Sequence, residues 1–205
     1  MSGADEAYSA GVVGPNAVIQ LSNALDDLCG HPLAEAVFAQ GGYPDLIDNP
    51  PDSMISETVP AGLMDVLWTS LSPAEAEAVA RDAGRRTADY VIANRIPHAA
   101  KWLLARVPRV IGARLLLKAV HRNAWTFCGS GVCTVKMVPA LTLTLKSNPI
   151  RTPGCIWHVA VFEQLFGRLV SPEIQVIHAV HSTEGQTVDR FEFRIRCARP
   201  ETEMA

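Results

Sequence analysis

The sequence predicts an α+β fold: N-terminal helices followed by a mostly antiparallel sheet with one inserted helix. Three observations predict it. Apolar residues recur at three- and four-residue spacing from about residue 14 to residue 124, the pattern of helices that bury one face. From Trp125 the period drops to two, the pattern of half-buried strands. The helical spacing then returns once, over 154–170, before two final strands. Helices first and strands after is the α+β order. The reading divides the chain into a helical region, 1–95, and an α+β domain, 96–205. One continuous domain from about residue 72 is the alternative.

Residues 1–13 read as a loose tail. Gly14-Pro15-Asn16 opens the first helix, Val18, Leu21, Leu25 and Leu28 give it an apolar face, and Gly30 stops it. His31-Pro32 starts a short second helix through Phe38, ended by Gly41-Gly42. Residues 43–56 carry three prolines among polar turn formers and read as a loop. A third helix spans 57–71, with Leu63, Val66, Leu67 and Leu71 on one side. The fourth has the clearest start, because Ser72-Pro73-Ala74-Glu75 combines an N-cap serine, a first-turn proline and a glutamate three residues on. It runs to Asn94, with Asp82–Arg86 and Arg85–Asp89 as i,i+4 pairs, and Ile96-Pro97 breaks it. Residues 98–124 are two basic amphipathic helices divided at Pro108.

Trp125-Thr126-Phe127-Cys128, the turn Gly129-Ser130-Gly131 and residues 132–138 read as a hairpin. Leu141, Leu143 and Leu145 alternate with polar residues in a third strand. The inserted helix carries Cys155, His158, Val159, Phe162, Leu165, Phe166 and Leu169 on one face, and Ser171-Pro172 ends it. Ile174, Val176, His178 and Val180 then alternate in one strand, and Phe191, Phe193, Ile195 and Cys197 in the last, with a turn at Gly185.

Composition bounds the function. With 48% hydrophobic and 19% charged residues the chain is globular, and it has no uncharged apolar run long enough to span a bilayer. Its first residues lack the basic and apolar regions of a signal peptide, which predicts a cytoplasmic protein with reduced thiols. The net charge of −3 hides a strong asymmetry. Residues 1–89 hold 14 acidic and 3 basic residues, whereas residues 90–162 hold 10 basic and none acidic. A basic face of this kind meets lipid headgroups, a carboxylated ligand or the acidic third of the chain itself. Nucleic acid is not expected as a partner, since the pI is near 6.1 and no binding motif is present.

No dinucleotide or phosphate-binding glycine loop is present, and no iron–sulfur spacing. Cys128 and Cys133 offer half a zinc site or a redox pair, and structural thiols fit them better. His178 and His181 point to opposite faces of a strand, so they do not chelate together. Cys155, His158, His181, Trp125, Trp157 and Phe191 can line one apolar pocket with a few polar atoms, which is what a large flat ligand needs.

The last third, with Cys155 opening a helix, His181 where a second cysteine is usual, Gly185 in the turn and Arg190-Phe191 on the last strand, resembles the 4-vinyl-reductase-type domain. Only one of that pattern's three thiols is present. A longer similarity runs through Gly14-Pro15-Asn16-Ala17, residues 83–90 (AGRRTADY), Arg95-Ile96-Pro97 and Ala124-Trp125-Thr126-Phe127. Those segments resemble the bacteriochlorophyll-synthesis J proteins of purple phototrophic bacteria. The resemblance implies a role near divinyl protochlorophyllide, an 8-vinyl (older numbering 4-vinyl) reductase name, and a fold similar to TRAPP vesicle-tethering subunits, often dimeric.

The residues leave three readings open. A carrier of a magnesium tetrapyrrole needs an apolar slot, an axial donor (His158 or His181) and cations such as Arg109 and Arg114 for the ring's carboxylates. It needs no metal of its own and no further cofactor. A vinyl reductase needs an electron or hydride source that no motif here announces. A scaffold would hold pathway enzymes together in peripheral contact with the photosynthetic membrane.

Overall fold

The computed structural model describes residues 11–183 and 185–195. Strand β1 (Val12–Val13) pairs antiparallel with β2 (Ile55–Ser56), closing a small ribbon around the first helices. Between them lie α1 (Asn16–Cys29), α2 (His31–Gln40) and a 3-10 turn at Pro44–Leu46. The stretch predicted as loop over 43–56 is therefore partly ordered. Helix α3 (Thr58–Ser70) follows, then α4 (Pro73–Asn94), the longest element. Its capping box is formed: Ser72 Oγ accepts from the Glu75 N–H at 3.4 Å, and the Glu75 carboxylate accepts from the Ser72 N–H at 3.0 Å.

Helices α5 (His98–Leu104) and α6 (Arg109–Arg122) are divided at Pro108. The predicted first strand is then corrected. Residues Trp125–Cys128 form a single helical turn, α7. Thr126 donates its hydroxyl to the Asn123 carbonyl at 2.7 Å and the Cys128 N–H bonds Ala124 O at 2.8 Å, so the segment continues the helical path of α6. Gly129, at φ 50°, ends it in a backbone conformation that a side chain would strain. Strand β3 (Val132–Lys136) accordingly finds its partner in β4 (Leu141–Lys146) and not in residues 125–128.

A 3-10 turn at Pro153–Cys155 leads into α8 (Ile156–Leu169), and β5 (Ile174–Thr183) and β6 (Gln186–Ile195) complete an antiparallel sheet of order β3-β4-β6-β5. The expected alternation to Cys197 falls outside the described residues. Leu143 and Leu145 on β4, Ile174 and Val176 on β5, and Phe191 and Phe193 on β6 face inward and are buried, with Phe191 and Phe193 packed on Phe162 and Phe166 of α8. Helix α4 is sandwiched between α1 and α8. At the α4–α8 crossing, Gly84 lets the backbones approach, since a Cβ there would lie 2.6 Å from the Trp157 carbonyl. Polar pairs stitch the same layers. Arg86 binds Asp82 at 2.5 Å within α4 and Asp27 on α1 at 2.7 Å, while Asp89 receives Gln164 of α8 at 2.9 Å. One apolar core therefore runs from Val13 to Phe193.

Candidate functional site

The site grows from the first two turns of α8. Gly154 and Cys155 both have positive φ, 64° and 46°, so the chain turns sharply into the helix and drives the Cys155 thiol inward. One helical turn later, His158 lies on the same face and is wholly buried. Its ring is caged by Trp157 at 4.9 Å, Phe191 at 6.0 Å, Phe127 at 6.3 Å and Phe162 at 6.4 Å between centroids. Neither ring nitrogen has a well-formed hydrogen bond among the described residues, and the Phe127 backbone offers only a poorly aligned contact. Burial holds the imidazole neutral, bringing its pKa down to about 4 although the Phe127 backbone and Asp189 pull the other way. A buried, uncharged imidazole with neither nitrogen held in a well-formed hydrogen bond is an open coordination or hydrogen-bonding position.

The cage has one wall that is lightly held. Phe127 rides on α7, half-buried, followed by Gly129-Ser130-Gly131. Two ties fix this segment. The Gly14 N–H bonds Thr126 O at 2.8 Å, and the buried Glu57 carboxylate accepts from the Ser130 N–H at 2.6 Å and its hydroxyl at 2.7 Å. A Cβ on Gly129 would overlap the Glu57 carboxylate, so glycine is required at that contact.

Beside the cage sits a polar cluster. Asp189, wholly buried on β6, accepts from His178 Nε2 at 3.0 Å, Arg151 Nε at 3.2 Å and Asn148 Nδ2 at 3.5 Å. Burial alone would raise its pKa, yet the hydrogen bonds from His178, Cys155 and Arg151 and the Arg151 charge bring it down to about 2. Burial first, and then the Asp189 charge, push the Cys155 thiol well above the usual range, so it stays protonated. Donor atoms of Cys155, His178 and Asp189 lie within 4.8 Å of one another, a spacing that can hold a metal ion. Phe191 joins the two features, its ring 5.0 Å from that of His178 and 6.0 Å from that of His158.

The structure brings four of the expected site residues together, Cys155, Trp157, His158 and Phe191, all buried. The other four lie elsewhere. Trp125 is 52% exposed, because its segment is helical and turns Phe127 inward instead. His181 is exposed on the edge strand, past the end of the core. Arg109 and Arg114 are exposed on α6, and Arg109 pairs with Glu173. The expected single pocket is thus corrected to a closed cage with cations outside it. A cleft of about 160 Å³ lies at the β3–β4 turn, lined by residues including Lys136, Thr142 and Arg190, below the roughly 300–1,000 Å³ of a ligand pocket. Sequence reasoning missed Phe127, Glu57, Arg151 and Asp189. Carrying the alternation of Phe191 and Phe193 one step back would have found Asp189 on the inward face. Cys128 and Cys133 are also held protonated by burial, at about 11 and about 12.

No family model matches the chain. The bacteriochlorophyll synthase 23 kDa chain of Cereibacter sphaeroides is 38% identical over 186 residues, covering 88% of this chain and 89% of that one. Its namesake in Rhodobacter capsulatus is 40% identical over 170 residues, covering 80% and 78%. Among solved structures, an H-NOX domain studied for heme distortion matches with TM-score 0.60 at 13% identity, covering 90% of this chain and 96% of that one. An H-NOX domain of T. tengcongensis matches with TM-score 0.59 at 12% identity, covering 90% and 97%. These likenesses correct the expected fold family. The α+β class stands, but the neighbours are H-NOX domains, and not TRAPP subunits or 4-vinyl-reductase domains.

Proposed function

The chain belongs to the bacteriochlorophyll synthase 23 kDa chain family, and on that premise we propose that it binds a magnesium tetrapyrrole intermediate and delivers it to other bacteriochlorophyll-synthesis enzymes. The stage is that of divinyl protochlorophyllide and related magnesium porphyrins. The observation that carries this reading is His158: a neutral, fully buried imidazole whose nitrogens make no well-formed hydrogen bond among the described residues, inside a ring of aromatic side chains. Magnesium bound in a tetrapyrrole supplies a Lewis-acidic axial position, and a neutral imidazole is a competent donor to it. Trp157, Phe162 and Phe191 supply apolar contact for a flat ring, and Phe127 must move aside for one to enter. The α7 segment is suited to that movement, because among the described residues its hydrogen bonds to distant parts of the chain are the Gly14 and Glu57 ties described above, the rest being local. The H-NOX fold adds support, since structures on this fold are described in terms of protein-induced porphyrin distortion.

A carrier in this pathway works in peripheral contact with the photosynthetic membrane. The competing reading, reduction of the 8-vinyl group, makes a different demand. The test is a titration of the purified protein with a magnesium divinyl porphyrin, followed by absorption. Carriage predicts a saturable spectral shift at one pigment per chain, with the divinyl form intact after NADPH or reduced ferredoxin is added. Absence of any shift sinks the carrier reading, and loss of the divinyl form under either donor establishes the reductase instead.

A further inference from the structure

The outer surface of α5 and α6 carries what a core helix would hide. Trp102 is 58% exposed, Leu103 45%, Val110 49%, Ile111 47% and Leu115 42%. They gather on both sides of the elbow at Pro108, at the end of α5 and the start of α6. An apolar patch of this kind on a protein surface marks a contact with something else. The charges around it narrow the choice. Arg106, Arg114, Lys118 and Arg122 are exposed and make no ion pair among the described residues. The Arg106 guanidinium lies 4.0 Å over the Trp102 ring, which holds the indole outward with a cation at its side. The whole stretch 90–162 contains no acidic residue. No helix among the described residues is long and apolar enough to cross a membrane, so the contact is with a surface.

We propose that this face docks the protein on an anionic phospholipid bilayer, Trp102, Leu103, Val110 and Ile111 entering the interface while Arg106 and Arg114 meet headgroup phosphates. An aromatic and aliphatic tip with a basic collar, whose one acidic neighbour, Glu173, is neutralised by Arg109, fits anionic lipid by both area and charge. Lys118 and Arg122 extend the basic stripe along α6, one and two turns beyond Leu115. The proposal names the surface and lipid chemistry of the peripheral contact suggested above, and it rests on that suggestion alone, independent of pigment binding.

The experiment is co-sedimentation of the full chain with vesicles of phosphatidylcholine alone or mixed with equal phosphatidylglycerol. The expected result is binding to the mixed vesicles only, weakened by salt. Replacing Arg106, Arg114, Lys118 and Arg122 with glutamine should weaken it by on the order of 100- to 1,000-fold, about fivefold per charge. Ile111→Ser with Trp102→Ser should abolish insertion while leaving the melting curve and the pigment titration unchanged. Failure of the unaltered protein to sediment with anionic vesicles overturns the proposal, as does equal sedimentation of both variants. If the serine pair instead converts a dimer to a monomer with vesicle binding unaltered, the face is a self-interface and the proposal is wrong.

Discussion

Replacing His158 by leucine should stabilise the ligand-free protein, the reverse of what a large change in a core usually does. The imidazole is wholly buried and neither nitrogen has a well-formed partner among the described residues. An unsatisfied buried donor or acceptor costs about 1–3 kcal/mol. Leucine fills a similar volume without polar atoms, but it gives up the ring contacts with Phe127, Trp157, Phe162 and Phe191, worth about 0.5–1.5 kcal/mol for a good pair. The net expectation for His158→Leu at neutral pH is a gain of about 1–2 kcal/mol, and in a chain of this size each kcal/mol raises Tm by about 2–4 °C. The pH dependence is a second readout. Folded His158 resists protonation down to about 4, against 6.5 when unfolded, so the unfolded state binds the extra proton between those values. Wild-type stability therefore falls as pH drops from 6.5 towards 4, by on the order of 3 kcal/mol from this residue. Asp189, titrating near 2, stays charged throughout that window. Urea unfolding at pH 7 and pH 4.5 measures both effects, and the advantage of the leucine variant should widen at the lower pH. A leucine variant less stable at pH 7, with no widening, would refute the unpartnered imidazole.

Three further predictions follow from the same contacts. Gly84→Ala gains up to about 1 kcal/mol of helix propensity but sets a Cβ 2.6 Å from the Trp157 carbonyl, so thermal unfolding should show a net loss of about 1–2 kcal/mol; a raised Tm would mean that α4 and α8 are not in this contact. Asp189→Asn should cost about 3 kcal/mol, the low end for breaking a buried pair because Arg151 can reach solvent. It should also speed alkylation of Cys155, whose thiol the Asp189 charge helps keep protonated, and an unchanged rate would remove the carboxylate from the cluster. Glu57→Ala removes both ties to Ser130. Amide exchange at 129–131 should rise and pigment association should accelerate, whereas slower association would mean that α7 is no gate.

What the sequence disclosed was what local chemistry decides. The start of α4 was legible because Ser72, Pro73 and Glu75 form a capping box within four residues. The inserted helix and the final hairpin were legible because their apolar periods of 3.6 and 2 run long enough to be unambiguous. Residues 125–128 were not, since four residues are too few to separate one period from the other, and the deciding contacts with Asn123 and Ala124 are invisible as pattern. Membership of the cage divides the same way. His158 and Phe191 share the inward rows of their elements, so they could be read as core. Asp189 was passed over because an aspartate reads as a turn residue, and only its partners Arg151 and His178, 38 and 11 positions away, make it a buried residue. That His181 and Trp125 would fall outside depends on where the core ends, which no local rule states.

The account turns on His158 as the axial donor, and chemical rescue tests that most directly. His158→Gly leaves a hole the size of the imidazole in the aromatic cage. The variant should give no spectral shift with a magnesium divinyl porphyrin, and adding free imidazole should restore the wild-type shift at one pigment per chain. A glycine variant that binds the pigment with the wild-type spectrum, without imidazole, would contradict the account.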